Sequence, residues 1–276
     1  MKKTKQWLQI ALLIGVVVTL SACGKTDAVS QHSTGIWDRY VIYTLSQFLL
    51  WIAKLVGNHY ALAIILFTIV LRTLLLPLTK MQMKSQRDMM EIQPELDKLK
   101  EKYPNKDRQS MEAMQEEQQA LMKEHGVNQY AGCLPLLIQF PVMIALYQAI
   151  VRTPELRQGH FLWMNLGNPD PYFILPVLAA GLTFATSYFT MKANPSSNVT
   201  TKSMMYMMPL MILFISLGLP SAVAVYWVIS NAITLAQTFI YNNPYKILAE
   251  RQAKRDAEKA KQKALKKALK QAKNRK

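Results

Sequence analysis

The sequence predicts an all-α polytopic membrane protein: five transmembrane helices, a cytoplasmic helical hairpin and an outer interfacial amphipathic helix. Three observations predict it. The 276-residue chain is 51% hydrophobic, yet its mean hydropathy is only +0.05, so apolar and polar residues are segregated into blocks. Several apolar blocks reach about 18 residues, the length that crosses a bilayer core roughly 30 Å thick. The formal net charge of +16 is also uneven: residues 242–276 carry thirteen Lys and Arg against three Asp and Glu.

The N-terminus carries a processing signal over residues 1–22. Lys2, Lys3 and Lys5 precede a short apolar run from Leu8 to Leu20. A positive region, an apolar region and small residues in that order form a secretory signal peptide. Leu20-Ser21-Ala22-Cys23 resembles the lipobox of bacterial lipoproteins, in which the Cys takes the lipid (palmitate among its acyl chains) and becomes the first mature residue. The mature N-terminus then starts outside. Cys23 and Cys133 alone give neither a disulfide framework nor metal-ligand spacing, so no metal and no cofactor are expected.

Residues 23–57 form an extracellular segment that ends in the interfacial helix. Within 36–57, Trp37, Tyr40, Val41, Phe48, Ile52, Leu55 and Val56 recur at helical spacings and are expected to form its apolar face. Asp38, Arg39, Ser46 and Gln47 lie mostly elsewhere. Spans follow at about 60–79, 133–151, 172–191, 204–218 and 221–241. The run 204–241 is too long for one helix, since at 1.5 Å per residue it exceeds about 50 Å. Gly218-Leu219-Pro220 divides it.

Alternating from an outer start places 80–130, 192–203 and the tail 242–276 inside. These hold nine, two and thirteen Lys and Arg, against three in 23–57 and two in 152–171 outside. The positive-inside rule therefore agrees with the lipobox. The insert 80–130 reads as a hairpin. Met89, Ile92, Leu96, Leu99 and Tyr103 form one stripe, and Met111, Met114, Gln118, Leu121 and His125 form the other. Pro104-Asn105 makes the turn, Gly126 ends the second helix, and Pro94 is expected to kink or restart the first. Its outer faces suit either solvent or a docking partner. The basic tail suits anionic lipid, RNA or a simple orientation signal.

Arg72 lies within an otherwise apolar span. A mid-span Arg costs about 2.5–3.5 kcal/mol on insertion scales and is usually paired or faces water. No predicted span holds Asp, Glu or a mid-span His, so water, backbone carbonyls, lipid phosphate or a ligand's negative charge remain as partners. Polar residues on other spans point to a wet site: Thr68 on Arg72's own face, Gln139, Thr183 with Ser187, and Trp227 with Ser230 and Asn231. Taken singly, such Ser and Thr stripes also serve as glue between helices. Methionines cluster at 81–90 and 204–211, suiting either ordinary packing or a surface for varied apolar helices.

Over about 57–241 these features resemble the YidC/Oxa/Alb family of membrane-protein insertases. The carriers are the Arg72 span with Pro77-Leu78, Gln93-Pro94-Glu95-Leu96, Cys133-Leu134-Pro135 with Gln139-Phe140-Pro141, and Pro220 through Trp227 to Asn231. The lipobox, with no large outer domain, is similar to Gram-positive members. The resemblance implies an insertase core over 58–241, in a bacterial plasma membrane, with a hydrophilic groove open to the cytoplasm and to lipid. Arg72, Gln139 and Trp227 match groove positions. The resemblance further implies that Arg72 attracts the acidic outer tail of a nascent membrane protein, without nucleotide. It also implies chaperone action, work beside the Sec translocon, and contact of the tail with the ribosome. A small-anion transporter or channel using Arg72 as its binding charge is the competing reading, although no internal repeat supports it. A structural lipoprotein is a third. An enzyme fits least, because spans without carboxylate or His offer no general base.

Overall fold

A computed structural model of the chain describes residues 27–105, 107–127, 134–194 and 199–273. The signal peptide, Cys23 and Cys133 lie outside the described residues. What is described is almost wholly helical.

Helix α1 (Trp37–Leu55) begins as a π-helical turn over Trp37–Tyr43. It meets α2 (Tyr60–Leu74) at a bend of 113°. Gly57 and Asn58 make that bend, with φ of 71° and 63°. Glycine takes this left-handed region freely, and Asn tolerates it. The Asn58 N–H donates to the Ala53 carbonyl at 2.7 Å, the closing bond of a Schellman ending.

Tyr40, Phe48 and Leu55 of the apolar face expected for this first helix lie on its exposed side, as a face meant for the membrane interface does. Its core side is Asp38, Ile42, Ser46, Leu49, Ile52 and Ala53, whereas Tyr40, Phe48, Trp51 and Leu55 are exposed. Asp38 and Ser46 turn inward because polar partners wait there: Arg152 for the carboxylate and Thr153 for the hydroxyl.

Leu75 separates α2 from α3 (Leu76–Lys102). The restart expected at Pro94 is absent, since α3 runs on through it, and the chain restarts its helix instead just ahead of Pro77. Proline has no N–H to donate, so it is well placed in the first turn of a helix. Helix α4 (Arg108–Glu124) returns along α3, with Ile92, Leu96, Met122 and Val127 buried between them. Asp107 caps α4 by accepting the Ser110 N–H at 2.9 Å. Glu117 accepts from Lys102 at 2.6 Å and from the Tyr103 hydroxyl at 2.7 Å. The Lys102 bond holds the Glu117 carboxyl below its ordinary range and raises the Lys102 ammonium.

Helix α5 (Leu134–Arg152) leads through the short α6 (Pro154–Arg157) to a small hairpin, β1 (His160–Phe161) and β2 (Met164–Asn165), paired His160 to Asn165 and Phe161 to Met164. This loop is structured rather than open. Met164 and Leu166 are buried in the main core. Helices α7 (Ile174–Lys192), α8 (Val199–Leu217) and α9 (Ser221–Tyr241) complete the bundle, with α7 against both α8 and α9, and α9 against α2. The break at Gly218-Leu219-Pro220 falls as expected. The loop also holds the start of α9: Ser221 N–H donates to the Asn168 carbonyl at 2.7 Å, and Ala222 N–H to that of Leu166 at 3.1 Å.

By length and composition, α7 and the stretch that begins with α9 are long and apolar enough to cross a bilayer. The bent pair α1–α2 passes the same test jointly, while Leu137–Arg152 and Met205–Leu217 are shorter apolar helices. These helices make the chain an all-α membrane protein.

The basic tail is itself a helix, α10 (Pro244–Lys273). Its base is braced: Ile247 is 2% exposed, Arg87 of α3 donates to Glu250 at 2.8 Å, and Asn242 Nδ2 donates to the Met83 carbonyl at 2.9 Å. Arg251 donates to the Ala193 carbonyl beyond α7.

Candidate functional site

Arg72 is half-buried near the end of α2, where that helix meets α5 and α9. Its Nε donates to Ser230 Oγ on α9 at 2.7 Å, and its Nη2 donates to the same hydroxyl. Nη2 also donates to Gln139 Oε1 on α5, at 3.4 Å. Gln139 is oriented in turn by its Nε2, which donates to the Tyr226 hydroxyl at 2.9 Å. Tyr226 and Ser230 stand one turn apart, so a single face of α9 supplies both contacts.

All of these partners are neutral. Among the described residues, the ion pairs between basic side chains and carboxylates do not include Arg72. Its partners are side-chain oxygens of two other helices, an option outside the four expected ones. A guanidinium stays protonated in such surroundings. The cluster therefore presents one fixed positive charge at a three-helix junction, with its direction set by hydrogen bonds.

The remaining candidates are placed differently. Thr68 is fully buried and donates to the Ile64 carbonyl at 2.6 Å. Thr183 donates to the Ala179 carbonyl at 2.8 Å. Such bonds to the residue four back satisfy a hydroxyl within its own helix. Ser187 and Trp227 are half-buried. The Nδ2 of Asn231 is buried with no hydrogen-bond partner among the described residues. The structure thus gathers Arg72, Gln139 and Ser230 and adds Tyr226, while Thr183 and Ser187 lie on α7, which packs against α9. The methionines divide: Met83, Met90 and Met205 are buried, whereas Met81, Met207 and Met211 are exposed.

The profile of the family described as 60Kd inner membrane protein matches residues 51–251, a stretch that contains this whole cluster. The chain belongs to the YidC/Oxa family. It is 49% identical over 252 residues to the membrane protein insertase YidC of Enterococcus faecalis, covering 91% of this chain and 90% of that protein. It is 42% identical over 233 residues to the membrane protein insertase MisCA of Bacillus subtilis, covering 84% and 89%. A crystal structure of an active YidC insertase with its first transmembrane domain resolved superposes with a TM-score of 0.60 at 31% identity. That match covers 75% of this chain and 47% of the other, so this YidC/Oxa chain spans about half the length of that one.

Sequence reasoning missed a second polar cluster of this family member. Arg152, at the end of α5, donates from Nη1 to Asp38 Oδ1 at 2.9 Å and from Nη2 to Oδ2 at 3.3 Å. Both side chains are buried. The two residues are 114 positions apart, and each reads in sequence as an ordinary flanking charge. Tyr226 was legible in principle, since it lies four residues before Ser230 on the same helical face.

Proposed function

We propose that the chain is a membrane protein insertase and folding chaperone for small membrane proteins. The observation that carries this is the Arg72 cluster: a protonated guanidinium, half-buried at the junction of α2, α5 and α9 and held, among the described residues, by neutral partners. The names of the curated relatives, each a membrane protein insertase, support the same reading.

The five spans are α2 with the first turn of α3, then α5, α7, α8 and α9. Lys and Arg are dense in 80–130 and 242–276 and sparse in 23–57 and 152–171, which puts the α3–α4 hairpin and the tail in the cytoplasm. Cys23 carries the lipid outside. Arg72, Gln139, Trp227, Ser230 and Asn231 mark a hydrophilic groove, and Thr68, Thr183 and Ser187 flank it. In low dielectric an unneutralised positive charge attracts carboxylates strongly. A substrate's short acidic outer tail enters the groove and is drawn towards Arg72. Its apolar helix then passes between spans into lipid, a transfer favoured by about 25 cal/mol per Å² of apolar surface. The hairpin meets substrate, and the basic tail meets the ribosome or its RNA. Some substrates are taken alone and others beside the Sec translocon.

The test is insertion of a single-span substrate with an acidic outer tail, in cells that lack other insertases. Arg72→Ala is expected to lower insertion by more than about ten-fold, and Arg72→Lys to retain most of it, because the charge and not the fork attracts the tail. Normal insertion by an Arg72→Ala protein present at normal level rejects the groove-charge mechanism.

A further inference from the structure

Arg152 uses its guanidinium and its backbone for different purposes. Asp38 neutralises its charge, and Gln148 Oε1 accepts a further Nη1 bond at 3.3 Å. Its Nε, however, donates to the backbone carbonyl of Asp27 at 2.8 Å, and its own carbonyl accepts the Val29 N–H at 3.2 Å. Next in sequence, Thr153 Oγ1 donates to Ser46 Oγ at 2.9 Å. Three separate pieces of chain therefore meet at one residue: the end of α5, the start of α1, and the extended segment 27–29.

Among the described residues, segment 27–29 is otherwise held only lightly. Asp27 and Ala28 are exposed, and Val29 is only half-buried, against the small cluster of Ile42, Ala145 and Ala149. A buried ion pair is a weak source of stability, since desolvation offsets the Coulomb attraction, but it is well suited to fixing register. Here the register fixed is that of a strap. Ala28 also forms one wall of a cavity of about 510 Å³, alongside Val151 and Arg152.

We propose that Arg152 is a positioning residue that fastens the strap 27–29 onto the outer ends of α5 and α1. Cys23 lies four residues before Asp27, a reach of about 14 Å when extended. The fastener therefore confines the lipid anchor to a small patch of membrane beside these two helices. The lipid half of this rests on the lipoprotein reading of Cys23; the fastening does not.

The experiment uses the full chain in bacterial membranes, with Cys133→Ser, Ala28→Cys and Val151→Cys, and a short bifunctional thiol reagent. The unaltered Arg152 is expected to give efficient cross-linking. Arg152→Lys keeps a charge for Asp38 but loses the Nε donor. Val29→Pro removes the backbone donor together with the Val29 side chain, with Val29→Ala as the control for the side chain alone, and both leave the buried pair intact. Arg152→Lys is expected to lower the cross-linked fraction by about ten-fold, and Val29→Pro by as much relative to Val29→Ala, with the protein still accumulating. An undiminished fraction in Arg152→Lys or Val29→Pro overturns the proposal, as does its collapse on Cys23→Ser, which would make the lipid itself the fastener. Failure of Cys23 to take up labelled fatty acid removes the lipid-anchor reading alone, and the cross-linking still decides the strap.

Discussion

Ser230 and Gln139 hold Arg72 unequally. Ser230 receives two guanidinium donors, one at 2.7 Å, whereas the Gln139 bond is 3.4 Å long, beyond the ordinary range. Hydrogen bonds to charged groups contribute about 1.5–3 kcal/mol, and stretched ones less. Ser230→Ala is therefore expected to destabilise the purified protein by about 1.5–3 kcal/mol and Gln139→Ala by about 1 kcal/mol. Unfolding in detergent measures both, and equal losses would make Gln139 a full partner. Arg72, Gln139 and Ser230 were legible because a polar residue in an apolar run needs an explanation. Tyr226 was legible only through its place one turn before Ser230, because an aromatic in such a run otherwise reads as packing. Asp38 and Arg152 were illegible as a pair: nothing in sequence links two charges 114 positions apart until the helices have been placed.

At the scale of elements, most boundaries were legible, Pro94 excepted, and so was the packed stripe of the hairpin at Met89, Ile92, Leu96 and Leu121; the inward turn of Asp38 and Ser46 on α1 was not. Pro77, Gly126 and Pro220 mark helix ends by backbone chemistry alone, which survives any environment. The face of α1 depends on its solvent. In water Asp38 and Ser46 would point outward, but beside lipid they turn to protein partners and leave Tyr40, Phe48, Trp51 and Leu55 exposed. The small hairpin of β1 and β2 was illegible because its strands are two residues long and are held by side chains of other elements. Asp170 is the chief of these. It accepts the Leu175 N–H at 2.7 Å, the Trp163 indole N–H at 2.9 Å and the Tyr172 N–H at 3.1 Å. Burial works to raise the Asp170 carboxyl, but these donors outweigh it and hold the group below its ordinary value. A depressed carboxyl stabilises the fold above its unfolded pKa, near 3.9, and loses that contribution as pH falls through the folded value. Hydrogen exchange over 160–175 is therefore expected to stay slow from neutral pH down to about 4 and to accelerate below it, after correction for the intrinsic rate. Asp170→Asn should accelerate it already at neutral pH. Acid-insensitive protection in the unaltered protein would show that the loop does not depend on this carboxylate.

In the whole molecule, the base of α10 ties the tail to two other parts of the fold. Arg87 reaches Glu250 from α3, and Arg251 reaches the Ala193 carbonyl past the end of α7. The tail helix thus grows from a point shared by the hairpin and the bundle, and a pull on the tail is passed to both. Magnitudes decide which contact carries it. The Arg87–Glu250 pair is 33% and 56% exposed, and exposed pairs contribute about 0–1 kcal/mol. Ile247 is buried, and Ile→Ala in a core costs about 2–5 kcal/mol. Ile247→Ala is therefore expected to speed hydrogen exchange over 244–251 by more than about ten-fold, while Arg87→Glu changes it little. Were the order reversed, the bracing would be electrostatic, and about 1 M salt would release the tail as the mutation does, since the screening length then falls to about 3 Å. An apolar anchor instead keeps the base of the tail docked across a wide range of ionic strength, even where salt or Arg87→Glu removes the ion pair to the hairpin.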